Sequence, residues 1–145
     1  MTIILGIDPG IKGALALFDK AERRVTVHDM PATTQELDDL LSSIPPVKFA
    51  VVEKPYYPKV IGITNAARIA EAYGRIKALL YTHGISANEV RPAEWKAALN
   101  LSSNKAASRE SATMFFPDDA DQWKRAKDDG RAEAALIAWY GLRWT

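Results

Sequence analysis

The chain of 145 residues is the length of one domain, and with 48% apolar and 26% charged residues it can bury a core without covalent staples. It has no cysteine, which excludes disulfides, thiolate metal sites and cysteine nucleophiles and fits a reducing compartment. A net charge of +1 excludes neither a nucleic-acid surface, which needs only a local cluster of Lys and Arg, nor a carboxylate site, whose acids cancel basic residues in the sum.

Met1 to Asp8 have no basic flank, and their apolar run ends at an acid, unlike a signal peptide. No stretch approaches the ~18 apolar residues of a membrane span. The expectation is a soluble, cytoplasmic protein with no membrane partner.

Residues 3–7 are apolar and end at Asp8, where Pro9 and Gly10 turn the chain. Residues 13–18 form a second apolar run, and in 25–30 Val25 and Val27 alternate with polar neighbours, as in a half-exposed strand. These three segments predict an antiparallel meander. Residues 33–43 place Leu37, Leu40 and Leu41 at helical spacing behind Thr33 or Thr34 as cap, and Pro45-Pro46 ends that helix. Residues 49–52 are continuously apolar, which predicts a strand buried on both faces, ending at Glu53.

A loop at 55–58 leads to the longest predicted helix, 63–81, with Ile69, Tyr73, Ile76 and Leu80 along one face and Gly84 stopping it. The same helix carries Ala66, Ala70 and Gly74 at four-residue spacing, which predicts close packing on the sheet or, second, on another copy of the chain. Residues 86–90 are a weaker strand candidate, 92–99 and 105–115 two short helices, and 118–127 a charged, mobile connection. The last helix spans 130–142, with Asp128 or Asp129 as its cap. This order predicts a single α/β domain over 1–145 with an RNase H-like mixed five-stranded sheet: an antiparallel β-meander, then αβα and C-terminal helices.

Asp8 and Glu53 end the first and fourth predicted strands, and parallel neighbouring strands would bring both carboxylates to one sheet edge. Asp129 and Glu133 stand four apart on the last helix, which puts them on one face with Cβ atoms about 5–6 Å apart. Four carboxylates without cysteine or a suitably spaced histidine make a hard oxygen site that selects Mg²⁺ or Mn²⁺ over Zn²⁺. Two such ions roughly 3.5–4 Å apart can activate water and stabilise the leaving 3′ oxygen of a phosphodiester.

Each acid also has a plainer explanation. Asp8 before Pro-Gly is a turn former, and Glu53 stands where a strand meets water. Asp128 and Asp129 are helix caps, and Glu133 a solvated acid paired with Arg131 or Lys127. Their joint placement favours the metal reading.

Beside Glu53 the chain carries Lys54, Tyr56, Tyr57 and Lys59. Tyrosines between lysines can stack on an unpaired base and hold phosphates, or their rings can pack on the fold from a rigid 55–58 loop. Lys105 and Arg109 fall one helical turn apart with Lys96 nearby, either a phosphate-gripping basic face or a solvated one. Arg68, Arg75 and Lys77 are expected at the surface. His28 and His83 lack metal-ligand spacing, and Trp95, Trp123, Trp139 and Trp144 are expected in the core or facing a partner.

Leu5-Gly-Ile-Asp-Pro-Gly10 followed by Gly13-Ala-Leu-Ala16 resembles the opening motif of the RuvC-type Holliday-junction resolvases, a family of crossover junction endodeoxyribonucleases. Val51-Val-Glu53 resembles their second acidic motif. Asp128-Asp-Gly-Arg-Ala-Glu-Ala-Ala-Leu-Ile-Ala138 resembles their C-terminal acidic helix, most nearly that of phage-type members. Arg91-Pro-Ala-Glu-Trp-Lys96 and residues 105–117 resemble the intervening region, so the likeness spans nearly the whole chain in order.

The resemblance implies a homodimeric enzyme that cuts two strands of a four-way DNA junction with Mg²⁺ or Mn²⁺, two ions per site, bound by four acids. Asp8, Glu53 and Glu133 match the family's metal positions, the last as Glu where Asp is commoner. Three residues before Glu133, where relatives carry another ligand, stands Gly130; helical geometry gives the fourth place to Asp129, with Asp128 in reserve. Tyr56 lies where some members carry an aromatic that wedges into the junction, and Lys105 matches a basic position. Lys54, Lys59, Lys105 and Arg109 are expected to position the DNA backbone.

Three rivals are weighed against this. Gly6-Ile-Asp8 and Gly10 also resemble the phosphate loop of sugar kinases and actin-like ATPases, but 145 residues supply one of the two domains needed, and no GxxxxGK[ST] motif is present, so no nucleotide cofactor is expected. An RNase H-type or branched-DNA nuclease would keep the same acids, and a non-catalytic nucleic-acid-binding module would need only the Lys/Tyr surface.

Overall fold

The computed structural model describes residues 2–102 and 105–145, with the side chain of Lys105 outside the described residues. The elements are β1 (Ile3–Asp8), β2 (Ala14–Asp19), β3 (Arg24–Asp29), α1 (Thr34–Ser43), β4 (Phe49–Glu53), α2 (Ile63–Thr82), β5 (Ala87–Val90), α3 (Pro92–Ala98), α4 (Lys105–Phe115) and α5 (Asp129–Tyr140). Short 3-10 turns occupy Lys59–Ile61, Pro117–Trp123, Ala126–Asp128 and Gly141–Trp144. The sheet order is β3-β2-β1-β4-β5, with the first three strands antiparallel and β4 and β5 parallel to β1. This is the predicted mixed five-stranded α/β architecture, and its strand and helix bounds fall within three residues of the predicted ones. Among the described residues no helix is long and apolar enough to cross a membrane.

The alternation of side chains along each strand divides the core in two. Leu5, Ile7, Ala50 and Val52 point to one face, where Leu37 and Leu41 of α1 and Ile76 and Leu80 of α2 cover them. Ile4, Ala16, Phe49 and Val51 point to the other, against α5. Ala132, Ala134, Ala135, Leu136, Ile137 and Ala138 are all buried, as expected of a helix apolar nearly all round its axis. Gly6 permits this close approach, because a Cβ there would lie 2.3 Å from the Ala134 carbonyl oxygen and 2.4 Å from the Ala138 nitrogen.

Three expectations are corrected. Residues 117–123 form a packed turn, not a mobile connection, with Trp123 fully buried against Phe116. Its polar residues serve the exposed edge of β3: Asp119 accepts from Arg24 Nε at 2.9 Å and Val25 N at 2.9 Å, and Gln122 bonds Val27 N at 2.7 Å and the Val25 carbonyl at 2.8 Å. Charge that reads as solvated in the sequence is there to satisfy an edge strand.

Two of the three small residues of α2 do not pack on the sheet. Ala70 and Gly74 are exposed, and a Cβ at Gly74 would meet nothing within 4 Å. Finally, neither Asp128 nor Asp129 caps α5 with its side chain; Asp128 occupies the N-cap position but turns its carboxylate back to Arg125. Thr33 does cap α1, accepting from Glu36 N at 3.1 Å.

Candidate metal centre

Strand parity places the first two acids. Ile4, Gly6 and Asp8 share one face of β1, and Phe49, Val51 and Glu53 share the same face of β4. The parallel register pairs Gly6 with Val51 and Ile7 with Val52, so Asp8 and Glu53 emerge side by side where both strands end. Helix α5 crosses that face and lowers Glu133 onto them. Ligand oxygens of Asp8, Glu53 and Glu133 all lie within 4.8 Å of one another.

Each carboxylate is held. Asp8 Oδ1 accepts from Gly10 N at 3.1 Å, and Glu53 Oε2 accepts from the Trp95 indole Nε1 at 2.6 Å. Glu133 Oε1 accepts from Ser108 Oγ at 3.4 Å and faces the Lys96 ammonium at 3.7 Å. Burial, reinforced by the Glu53 and Glu133 carboxylates, pushes the Asp8 carboxyl up from 3.8 to about 7. Burial also raises Glu53, opposed by the Trp95 hydrogen bond. Three hard oxygen donors crowded within 4.8 Å of one another fit a divalent cation of the Mg²⁺ or Mn²⁺ kind, whose charge would relieve their repulsion.

Asp129 is not among these three. Its carboxylate accepts from Arg109 Nε at 3.0 Å, although it lines the same cleft as Asp8, Glu133, Lys12 and Lys127. Asp128 is buried in a fork from Arg125, with Nε at 3.0 Å and a terminal nitrogen at 2.9 Å, and that guanidinium holds its carboxyl below the usual range. At Gly130 a Cβ would lie 2.1 Å from the Lys12 carbonyl oxygen, so the β1–β2 turn occupies the space that a side chain would need.

Beyond Glu53 a second groove is lined by Lys54, Tyr56, Arg91 and Lys96. The triad thus lies between two basic-edged clefts. Tyr56 is 74% exposed and does not pack on the fold. Lys59 is exposed on its 3-10 turn, whereas Arg109 is drawn into the pair with Asp129. The expectation for the Lys105 side chain lies outside the described residues.

Sequence reasoning gave no binding role to Lys12, Lys127 or Arg91, which carry no spacing signal and reach the clefts only through the fold. Nor did it find Trp95 at Glu53, where a fully buried indole reads as ordinary core.

No family model matches the chain, and no curated protein matches it. Solved structures do match in fold. RuvC of Thermus thermophilus in complex with a Holliday junction substrate superposes with a TM-score of 0.68 at 15% identity, covering 99% of this chain and 96% of that one. A second T. thermophilus RuvC structure gives 0.67 at 16% identity, with the same coverage of 99% and 96%. The yeast mitochondrial Holliday junction resolvase Ydc2 gives 0.59 at 19% identity, covering 99% of this chain and 78% of that one. The chain therefore has the RuvC-like variant of the RNase H fold over nearly its whole length.

Proposed function

We propose that this single-domain protein is a divalent-metal-dependent DNA endonuclease that resolves four-way junctions. The observation that carries the reading is the triad of Asp8, Glu53 and Glu133, assembled within 4.8 Å from both parallel strand ends and the last helix. The fold match to Holliday junction resolvases supports the choice of substrate.

Asp8, Glu53 and Glu133 would hold the cation, which when bound supplies the charge neutralisation and water activation that phosphodiester hydrolysis needs. Lys96, at 3.7 Å from Glu133, is placed to engage a phosphate oxygen arriving at the triad. Lys54, Lys59 and Arg91 on one side, and Lys12 and Lys127 on the other, would hold the flanking backbone. Lys105 and Arg109 belong to the same proposed DNA-binding set, Arg109 through its pair with Asp129.

A four-way junction has two strands to cut, which favours a two-fold symmetric dimer. The turn before α2 and the exposed side of that helix offer a surface for it: Val60 on the turn and Ile63 at the helix start are 94% and 90% exposed, and Ala70 and Gly74 further along the helix are exposed as well. A cytoplasmic location is part of the same reading.

The test is strand cleavage of a synthetic four-way DNA junction beside linear duplex and an RNA–DNA hybrid, each with Mg²⁺ or Mn²⁺. Paired incisions in the junction alone are expected. Cleavage of the hybrid alone would change the substrate class, and junction binding without cleavage of any substrate would leave a binding module.

Two substitutions probe individual roles. Asp129→Asn is expected to slow cleavage by about tenfold, the scale of losing a supporting contact rather than a ligand, with little change in thermal stability. A loss as large as that of a triad acid would instead put Asp129 on the metal. Tyr56→Ala is expected to slow cleavage of intact junctions several-fold more than of pre-nicked ones, since base stacking at an exposed ring contributes roughly 1–3 kcal/mol. Equal slowing of both substrates would remove Tyr56 from junction opening.

A further inference from the structure

We propose that Trp95 is a positioning residue for the metal centre: its indole N–H orients the Glu53 carboxylate, and its ring seats the Lys96 ammonium that stands on Glu133. One buried side chain would thus order two of the groups around the cation. The inference rests on the metal-centre reading of the triad.

The placement follows from local structure. Glu53 pairs with Val90 across the parallel β4–β5 ladder, and Lys54 N donates to the Val90 carbonyl at 2.7 Å. Helix α3 begins two residues later at Pro92, a residue suited to a first helical turn, and its fourth residue is Trp95. The indole is wholly inaccessible to solvent and donates to Glu53 Oε2 at 2.6 Å. The next residue returns over the ring: Lys96 Nζ lies 5.4 Å from the Trp95 ring centroid and 3.7 Å from Glu133 Oε1.

The chemistry suits the task. An indole N–H is a donor with no acceptor capacity, so it can orient a carboxylate without competing for the cation. Buried, it cannot exchange that bond for one to water, and partners of this kind fix the ligand geometry on which metal affinity depends. A buried tryptophan generally finds some acceptor, and Trp123 shows the ordinary case, donating to the neutral Thr113 hydroxyl at 3.1 Å. Trp95 differs in that its acceptor is a member of the triad.

The test compares Trp95→Phe with Trp123→Phe, each of which removes an indole donor while keeping a large buried ring. Mn²⁺ affinity is read without substrate, from the paramagnetic resonance signal of the free ion, alongside thermal stability. Trp95→Phe is expected to weaken Mn²⁺ binding by roughly 10- to 100-fold. Trp123→Phe is expected to lower stability and leave Mn²⁺ affinity unchanged. Affinity in Trp95→Phe within threefold of wild type, or an equal loss in Trp123→Phe, would overturn the proposal while leaving the metal centre standing. A wild-type protein that binds no Mn²⁺ would overturn both.

Should Trp95→Phe fail to fold, the wild-type indole resonances decide. Trp95 is assigned by elimination from the Phe variants of Trp123, Trp139 and Trp144. Its N–H signal is expected to move most on titration with Mg²⁺ and to stay still in Glu53→Gln. A Trp95 signal indifferent to Mg²⁺ saturation in wild type would sink the idea.

Discussion

Asp8→Asn is expected to abolish junction cleavage, by on the order of 10³-fold, and at the same time to make the metal-free protein harder to unfold near neutral pH. The two effects share a cause. The folded-state carboxyl of Asp8 titrates near 7 against 3.8 for an ordinary aspartate, because it is buried beside Glu53 and Glu133. A group raised in this way contributes stability that is fully present below its unfolded value and is lost as the pH climbs through its folded value. The metal-free wild type should therefore weaken between about pH 4 and pH 7.

Asparagine is neutral throughout and can still accept from Gly10 N, so the variant should escape that loss. The difference in unfolding free energy should be small at pH 4 and reach on the order of a few kcal/mol by pH 8, allowing for coupling among the three acids. Adding Mg²⁺ should raise the Tm of wild type far more than that of the variant. Thermal melts across this pH range, with and without Mg²⁺, make the comparison; a variant no more stable than wild type at pH 8 would contradict the electrostatic account of the site.

Gly130→Asp is expected to damage the protein rather than restore a fourth ligand. By sequence pattern the substitution places an acid three residues before Glu133, where the resemblance to the RuvC-type resolvases implies a further ligand. In this fold the new Cβ would lie 2.1 Å from the Lys12 carbonyl oxygen and 3.2 Å from the Gly13 Cα, so the β1–β2 turn or the start of α5 must move. Both are backbone, and neither yields as a flexible side chain would. The expected cost is about 3 kcal/mol, a Tm lower by roughly 10 °C, with cleavage reduced because the displaced turn carries Asp8 and Gly10 with it. A variant with wild-type stability and faster cleavage would show that the turn yields and that the fourth position is open.

Much of the centre was legible before the fold was known. The strand-end positions of Asp8 and Glu53 identify them, and Ile4-Gly6-Asp8 and Phe49-Val51-Glu53 carry the parity that turns both carboxylates to one face. Glu133 was placed by the resemblance of its helix to a family motif and by its spacing from Asp129. Spacing carries less than strand position. Asp129 does share the cleft with Glu133, yet helical spacing says nothing about what stands opposite, and Arg109 stands there at 3.0 Å.

The charged stretch from 117 to 123 misled for a similar reason. Asp119 and Gln122 are polar because the edge of β3 offers unpaired backbone groups, and nothing near them in sequence announces that edge. The small residues of α2 misled in the opposite sense as to the sheet: their four-residue spacing favoured packing on it, but the helix turns Ala70 and Gly74 outward, which leaves the second alternative, packing on another copy.

The sequence by itself determined the elements, their order, the two-sided burial of β4, and the acids Asp8 and Glu53 that end β1 and β4. These are local properties: periodicity, turn residues and the place where an apolar run meets a carboxylate. Only the tertiary structure decided which acid is spent on an arginine, why Gly130 bears no side chain, and that Trp95 reaches Glu53 while Lys96 reaches Glu133. Those outcomes depend on where α3 meets the end of β4, where α4 meets α5, and how closely the β1–β2 turn meets Gly130. Contacts between segments twenty to more than a hundred residues apart are set by the packing of the whole core, which no local pattern contains.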